Sequence, residues 1–345
     1  MSRLRVGLIG CGRVVERFHL PALLTSSAWT VAAASDVNPD RRRWFEIKMG
    51  GVPVFERAED MLDHVNLDAA LIASTPECQA DLAMKALAHG LHALVEKPAG
   101  TSSGEARAMA EAADLAGKRL WVGFNRRFMS NYRALAGVIS TLPPNSSVLG
   151  RFELSFDPRE WDSVAGRMAV GPFGHGVLLD VASHQVDALG WLTGRNVRSL
   201  HVLDWSRATG WEELQYSAEL AVGWSFECIA RHGRGYRERI VLEWDSGRAI
   251  LFPTGIHFSG NLLRPFHEAV VRGEHWAQRK LIRLGLSHDV LARSFFLQWQ
   301  ALARSIGGAE ATDAGTSEDI LRVHAGLEAI RESWEERGRV GRETL

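Results

Sequence analysis

The chain is poor in lysine, tyrosine and cysteine. Of its 345 residues, five are lysines (Lys48, Lys85, Lys97, Lys118 and Lys280) against 35 arginines, and three are tyrosines. Cys11, Cys78 and Cys228 are widely separated, odd in number and in no metal-ligand spacing, which argues against a disulfide framework and leaves no metal site expected. Such cysteine usage fits a reducing compartment, and a cytoplasmic location is expected. No run of about 20 uncharged apolar residues occurs, so no membrane span is expected. Gly7 and Gly10 break the apolar start, and no signal peptide is expected there. A net charge of −1 without a long run of like charge lacks the basic footprint of a nucleic-acid or membrane-surface protein. Internal repeats and low-complexity segments are missing as well.

What is present is the composition of a soluble globular protein, 46% hydrophobic and 23% charged, at a length that suggests two domains. The first third alternates short apolar runs with helical patterns. Strands are expected at Leu4–Gly10, Thr30–Asp36, Val52–Phe55, Ala69–Ser74, His92–Glu96 and Arg119–Phe124. The helices between them are Arg13–Ser26 (bent or shortened by Pro21), Pro39–Met49, Ala58–His64, Glu77–His89 and Ser102–Ala116. Strands separated by helices pair in parallel, giving a doubly wound α/β sheet over residues 1–124. Residues 125–345 read differently. Helices at Asn131–Ser140, Gly176–Thr193, Val290–Ile306 and Ser317–Gly338 flank consecutive strands at Val148–Phe156, Val197–Trp205, Leu214–Val222, Ser225–Arg231, Tyr236–Trp244 and Arg248–Phe252. The last two are joined across Asp245-Ser246-Gly247, a hairpin signal. This predicts a second, α+β domain with a largely antiparallel open sheet. Residues 254–287 give no clear pattern.

Five features carry chemistry. Gly10-Cys11-Gly12-Arg13-Val14-Val15 stands between the first strand and the first helix, where glycines permit a tight turn and close approach to a pyrophosphate. Val15 occupies the third fingerprint position, ordinarily Gly or Ala. Asp36 ends the second strand, where an acid binds ribose hydroxyls and favours NAD over NADP. Arg41, Arg42 and Arg43 could accommodate a 2′-phosphate but read better as a solvated helix face. Ser74-Thr75-Pro76 either lines the cofactor or caps the following helix. Glu96-Lys97-Pro98 puts a scarce lysine at a strand end, where ligands bind in α/β sheets and where a lysine can take part in proton transfer. Asp180 and His184 lie four apart in a largely apolar helix. They are either a proton-transfer pair or an ordinary helix-stabilising pair.

Together these pieces resemble the glucose–fructose oxidoreductase/inositol dehydrogenase/rhizopine catabolism family, Gfo/Idh/MocA. Gly10-Cys11-Gly12 continuing to His19 looks like its nucleotide fingerprint, and Glu96-Lys97-Pro98 like its hallmark tripeptide. Gly123-Phe124-Asn125-Arg126-Arg127-Phe128 resembles the segment leading out of its nucleotide domain, and Asp180-Val181-Ala182-Ser183-His184 its Asp-x-Gly-x-His segment, with Ala182 for Gly. The resemblance implies a Rossmann domain, with Lys97, Asp180 and His184 as the catalytic constellation. It implies that NAD, with NADP as the alternative, is bound by Gly10, Gly12, Arg13, Val14, Asp36, Arg41, Ser74, Thr75, Pro76, Glu96, Lys97, Asn125 and Arg126. The implied reaction moves a hydride between nicotinamide and a sugar, nucleotide sugar or cyclitol. Such a protein is expected to be a homodimer or homotetramer with a small-molecule partner, neither nucleic acid nor membrane. The alternatives are an NAD-dependent glycosidase of the same fold and a non-catalytic dinucleotide-binding regulator. Trp161, Arg159, Arg167, His175 and Tyr236 could reach a polyhydroxylated ligand.

Overall fold

Short apolar runs build the first sheet: β1 (Leu4–Ile9), β2 (Trp29–Ser35), β3 (Val54–Phe55), β4 (Ala69–Ile72), β5 (His92–Val95) and β6 (Leu120–Val122). All pair in parallel, in the order β3-β2-β1-β4-β5-β6. The middle strands are buried on both faces, which is why they read as continuous apolar runs and not as alternations. A π-helical turn at Val15–His19 runs into α1 (Leu20–Thr25). Then come α2 (Pro39–Met49), α3 (Ala58–His64), α4 (Pro76–Ala88) and α5 (Ser103–Ala116). Local chemistry sets their ends. Asn38 Oδ1 accepts from Asp40 N and Ser102 Oγ from Glu105 N, while Gly117, at φ 60°, closes α5. Pro21 stands in the first turn of α1, where its missing N–H costs nothing, so the expected single helix is a π turn followed by a short α-helix. Strand order reverses between β1 and β4, and the strand ends at that reversal form the crevice typical of ligand sites in such sheets.

A 3-10 turn, Asn125–Phe128, leads to α6 (Ser130–Ile139) and then to the second sheet: β7 (Val148–Phe156), β8 (Val197–Ala208), β9 (Trp211–Leu220), β10 (Trp224–His232), β11 (Arg237–Trp244), β12 (Gly247–Phe252) and β13 (Gly255–Gly260). Another π turn, Leu178–Ala182, opens α7 (Ser183–Thr193). The sheet order is β13-β12-β11-β7-β10-β9-β8. Every pairing is antiparallel except β7 with β10. Burial alternates along β9 and β10 because one face carries the core. The opposite face carries cross-strand ion pairs such as Arg151 with Glu227 and Arg231 with Glu213. Gln185 docks α7 on the sheet. Its amide donates to Phe152 O (2.9 Å) and Ile229 O (3.1 Å), and its oxygen accepts from Tyr216 Oη (3.1 Å). β13 lies in the stretch that gave no sequence pattern. Its short run pairs along β12, a long-range reason that local periodicity does not register.

α8 (Val290–Ile306) and α9 (Ser317–Glu343) complete the chain. The structure, a computed structural model, describes residues 3–157, 176–208, 211–253, 255–260, 290–309 and 313–343. It divides into Met1–Asn125 with Ala292–His324, and Arg126–Leu291 with Ala325–Leu345. The sequence reading gave residues 125–345 as a whole to the second domain; residues 292–324 instead belong with the first unit. The physical reason is aromatic. Trp299, fully buried, packs edge-on against Trp29 with centroids 5.0 Å apart, and its carbonyl accepts from Trp29 Nε1 at 2.8 Å. Phe295 stacks on Phe18 at 4.9 Å. The rest of α9 covers the edge strand β8 of the second unit, where Val202 N donates to Ser333 Oγ and Trp205 meets Trp334. Among the described residues, no helix is long and apolar enough to cross a membrane.

Candidate functional site

The glycine turn closes against the end of β4. Gly10 has φ +90°, and a Cβ there would lie 2.6 Å from Ala73 O, so only glycine fits. At Gly12 a Cβ would meet nothing within 4 Å, leaving room above that peptide for a bulky group. Arg13 is exposed, and Val14 is half-buried at the start of the π turn. Val15 is fully buried. Asp36, beyond β2, accepts from Cys11 N (2.7 Å, Oδ2) and Asn38 N (2.8 Å, Oδ1), so its carboxylate is held at the turn. These features, an open glycine turn with an acid fixed beside it, fit the diphosphate and ribose of a dinucleotide.

The arginines differ from the expected solvated face. Arg41 donates from Nε to Cys11 O (2.6 Å) and from Nη2 to Glu16 (3.0 Å), and lies over Trp44 at 4.5 Å. Arg42 donates to Asp36 O (2.9 Å) and Val37 O (3.0 Å). Arg43 alone is exposed. The carbonyls left at the turn and at the β2 end draw the other two inward. Ser74 Oγ points to Thr75 O at 3.4 Å. Thr75 takes the cap position of α4 with Pro76 behind it, but its hydroxyl makes no cap hydrogen bond.

Lys97, half-buried at the end of β5, stands on a braced loop. Glu96 Oε2 accepts from Lys97 N at 3.1 Å, and Glu96 Oε1 lies 2.8 Å from His19 Nε2. His324 Nε2 donates to Pro98 O (3.0 Å) and Ala99 O (3.1 Å), and Gly100 N donates to Gln79 Oε1 (2.9 Å). The carboxyl of Glu96 thus turns into the protein. Gly123 makes room for it, since a Cβ there would lie 2.8 Å from Glu96 Oε1. Asn125 is buried and donates from Nδ2 to Ser294 Oγ at 3.1 Å.

In the second unit Asp180 stands on the π turn and His184 at the start of α7; both are buried. Phe156 lies between two imidazoles, 6.5 Å from that of His184 and 6.0 Å from that of His232. His232 Nε2 is 3.1 Å from Asp180 Oδ2. Asp187, one turn past His184, is claimed by Arg127 in a buried two-point pair. Arg126 donates from Nε to Glu238 Oε1 at 2.7 Å, and Tyr132 Oη donates to the same oxygen at 2.7 Å. Burial opposes the Arg126 charge, but the adjacent Glu238 holds its pKa above the usual arginine value. Burial and then the Glu238 charge push Tyr132 well above its ordinary value. Tyr236 Oη donates to the other Glu238 oxygen. Arg159, Trp161, Arg167 and His175 lie outside the described residues.

His232 and Glu212 were not expected from the sequence. A signal exists for both: each falls on the inward parity of a strand whose other inward residues are apolar, Trp224, Phe226, Cys228 and Ala230 on β10 and Leu214, Tyr216, Ala218 and Leu220 on β9. A titratable residue on that parity has a partner to be found.

A six-stranded 3-2-1-4-5-6 parallel sheet, with a glycine turn at its reversal and an acid closing its second strand, defines a dinucleotide-fold protein. Residues 4–124 match the model described as "Oxidoreductase family, NAD-binding Rossmann fold". Among curated proteins it is 30% identical over 202 residues to the rhizopine catabolism protein MocA of Rhizobium meliloti (59% of this chain, 61% of that one). It is 25% identical over 200 residues to the myo-inositol 2-dehydrogenase of Thermotoga maritima (57% of each). The matched part thus spans about three-fifths of the length of these relatives. Among solved structures, the fold resembles the WlbA dehydrogenase of Bordetella pertussis in complex with NADH and UDP-GlcNAcA (TM-score 0.79, 21% identity, 97% of this chain and 96% of that one). It also resembles the scyllo-inositol dehydrogenase of Lactobacillus casei with NAD(H) and scyllo-inositol (TM-score 0.72, 20% identity, 97% and 98%).

Proposed function

We propose that this protein is an NAD-dependent oxidoreductase acting on a CH–OH group of a sugar, nucleotide sugar or cyclitol. Residues 1–125 with residues 292–324 form its nucleotide-binding domain, and residues 126–291 with 325–345 its substrate domain. The observation that carries the reading is the shared sheet: the open Gly10–Gly12 turn with Asp36 at the ends of β1 and β2, and Lys97 on its braced loop at the end of β5. Names of relatives support the substrate class, since an inositol 2-dehydrogenase and a protein of rhizopine catabolism are among them.

Gly10 and Gly12 would seat the diphosphate, Asp36 the ribose hydroxyls, and Arg13, Val14 and Ser74-Thr75-Pro76 would flank them. The nicotinamide, when bound, supplies the hydride acceptor. Lys97 donates to the substrate oxygen and stabilises the negative charge that develops as its proton leaves. His184 takes that proton, being the side chain whose ordinary pKa lies nearest neutrality. Asp180 orients the proton-transfer groups. Glu96 acts one step back by holding Lys97 N. A homo-oligomer in a reducing compartment completes the reading, and three free thiols support the compartment.

The test is a dehydrogenase screen of the full chain over sugars and cyclitols with NAD and NADP, reading nicotinamide absorbance, for the parent and Lys97→Ala. Net NADH formation that falls by orders of magnitude in K97A is expected. Parent-like turnover in K97A sinks the assignment. Bond cleavage without net NADH identifies a glycosidase, and dinucleotide binding without turnover of any substrate identifies a regulator.

A further inference from the structure

Asp180 is held by His232 of β10, which is backed in turn by Glu212 of β9. Its Oδ2 accepts from His232 Nε2 at 3.1 Å. The far nitrogen of that ring, Nδ1, faces Glu212 Oε2 at 3.8 Å. Glu212 is itself anchored: its Oε2 accepts from Val177 N at 2.9 Å and its Oε1 from Trp205 Nε1 at 3.2 Å. Asp180, His232 and Glu212 are 8%, 5% and 8% exposed, so bulk water does not compete for these bonds. Gly176 completes the arrangement, because a Cβ there would sit 2.2 Å from Glu212 Oε2.

The same pair grips the π turn at two points. Glu212 takes the backbone N–H just before Leu178–Ala182, and His232 takes the side chain at its centre. A π turn is a rare conformation that persists where its surroundings over-determine it, and such turns recur at functional sites. A carboxylate only accepts, so the His232 ring presents Nε2–H to Asp180. A fixed donor on one oxygen selects one rotamer of the carboxylate.

We propose that His232 is a positioning residue for the reaction, holding the Asp180 carboxylate in its working orientation, with Glu212 holding the π turn behind it. This rests on the proposed oxidoreductase reading, in which Asp180 serves the proton transfer. Neither His232 nor Glu212 needs to touch substrate or cofactor.

The experiment uses the full chain with NAD and the best substrate of the screen, and compares the parent with Asp180→Asn, His232→Phe, His232→Gln and the double variant D180N/H232F. H232F should lower kcat by about tenfold or more with KM within about threefold. H232Q, whose amide can donate from the Nε2 position, should recover to within about threefold of the parent. In the D180N background, H232F should change kcat by less than about twofold, because the two act as one unit. Melting temperatures accompany each variant, so a loss of fold is seen as such. Parent-like kcat in H232F, H232Q as impaired as H232F, or independent losses in the double variant overturn the positioning role. Parent-like kcat in D180N overturns the functional reading and this role with it. A readout that needs no substrate is the nitrogen-15 spectrum of histidine-labelled protein. One slowly exchanging Nε2–H signal should vanish in H232Q, and its absence from the parent overturns the proposal.

Discussion

His19 Nε2 and Glu96 Oε1 lie 2.8 Å apart inside the first unit, with His19 wholly buried. Trp299 Nε1 donates to the other ring nitrogen, Nδ1, at 3.1 Å. An indole N–H can only donate, so Nδ1 accepts and Nε2 carries the proton that goes to Glu96. The residue that holds Lys97 N is thereby fixed from α8. Replacing His19 by Phe leaves a buried carboxyl short of a donor and should destabilise the protein by about 2–4 kcal/mol. His19→Gln should lose about half as much, since its amide can serve the same oxygen. Urea unfolding measures both; a loss below about 1 kcal/mol in H19F would show that the bond contributes little.

Gly10 and Gly12 should separate fold from binding. Gly10→Ala brings a Cβ 2.6 Å from a backbone oxygen at φ +90° and should cost about 2–3 kcal/mol. Gly12→Ala meets nothing, so its melting temperature should match the parent while its NAD affinity falls about tenfold or more. Thermal melts and a dinucleotide titration of the two variants check this. A cold-sensitive or unfolded G12A would mean that the open space is structural.

Asp36 should set the cofactor preference. Its carboxylate, held by Cys11 N and Asn38 N, opposes a 2′-phosphate by like charge, and Arg41 beside it is already committed to Cys11 O and Glu16. Asp36→Ala should move the NADP-to-NAD affinity ratio by about tenfold toward NADP. Equal weakening of both cofactors would undo the ribose argument.

The three thiols should behave differently. Burial, then the Asp36 charge, pushes Cys11 up to about 12, and burial does the same for Cys228, whereas Cys78 is exposed. In the native protein at pH 7 a maleimide should label one thiol per chain, and all three after denaturation. The sign for stability follows from folded values above the ordinary 9.0: the folded state keeps protons that the unfolded state releases. The contribution is complete below pH 9 and is lost as pH rises toward about 12. Melting temperatures across pH 8–11 read this directly, and a flat profile would contradict it.

The sequence announces what is local. Pro39–Met49, Ala58–His64, Val148–Phe156 and Val290–Ile306 emerge with the bounds expected of them, because caps, prolines and period-two alternation mark their ends. It is silent where distant segments meet. Trp299 reads as one more apolar residue of an amphipathic helix, though it decides the partner of His19. His232 becomes a partner of Asp180, and Glu212 of His232, only through the β7-β10-β9 register. The two π turns have no signature in residue periodicity, since both sit inside patterns that read as plain α-helix.

Residues 292–324 make the nucleotide-binding unit discontinuous along the chain. A fragment stopping at residue 125 would leave the Trp29 indole without its carbonyl, the His19 ring without its donor, and the loop after Lys97 without His324. Excising the dinucleotide module therefore takes two pieces of chain, not one. During synthesis the first six strands can pair early, but the core beneath Lys97 closes only after the C-terminal helices have left the ribosome.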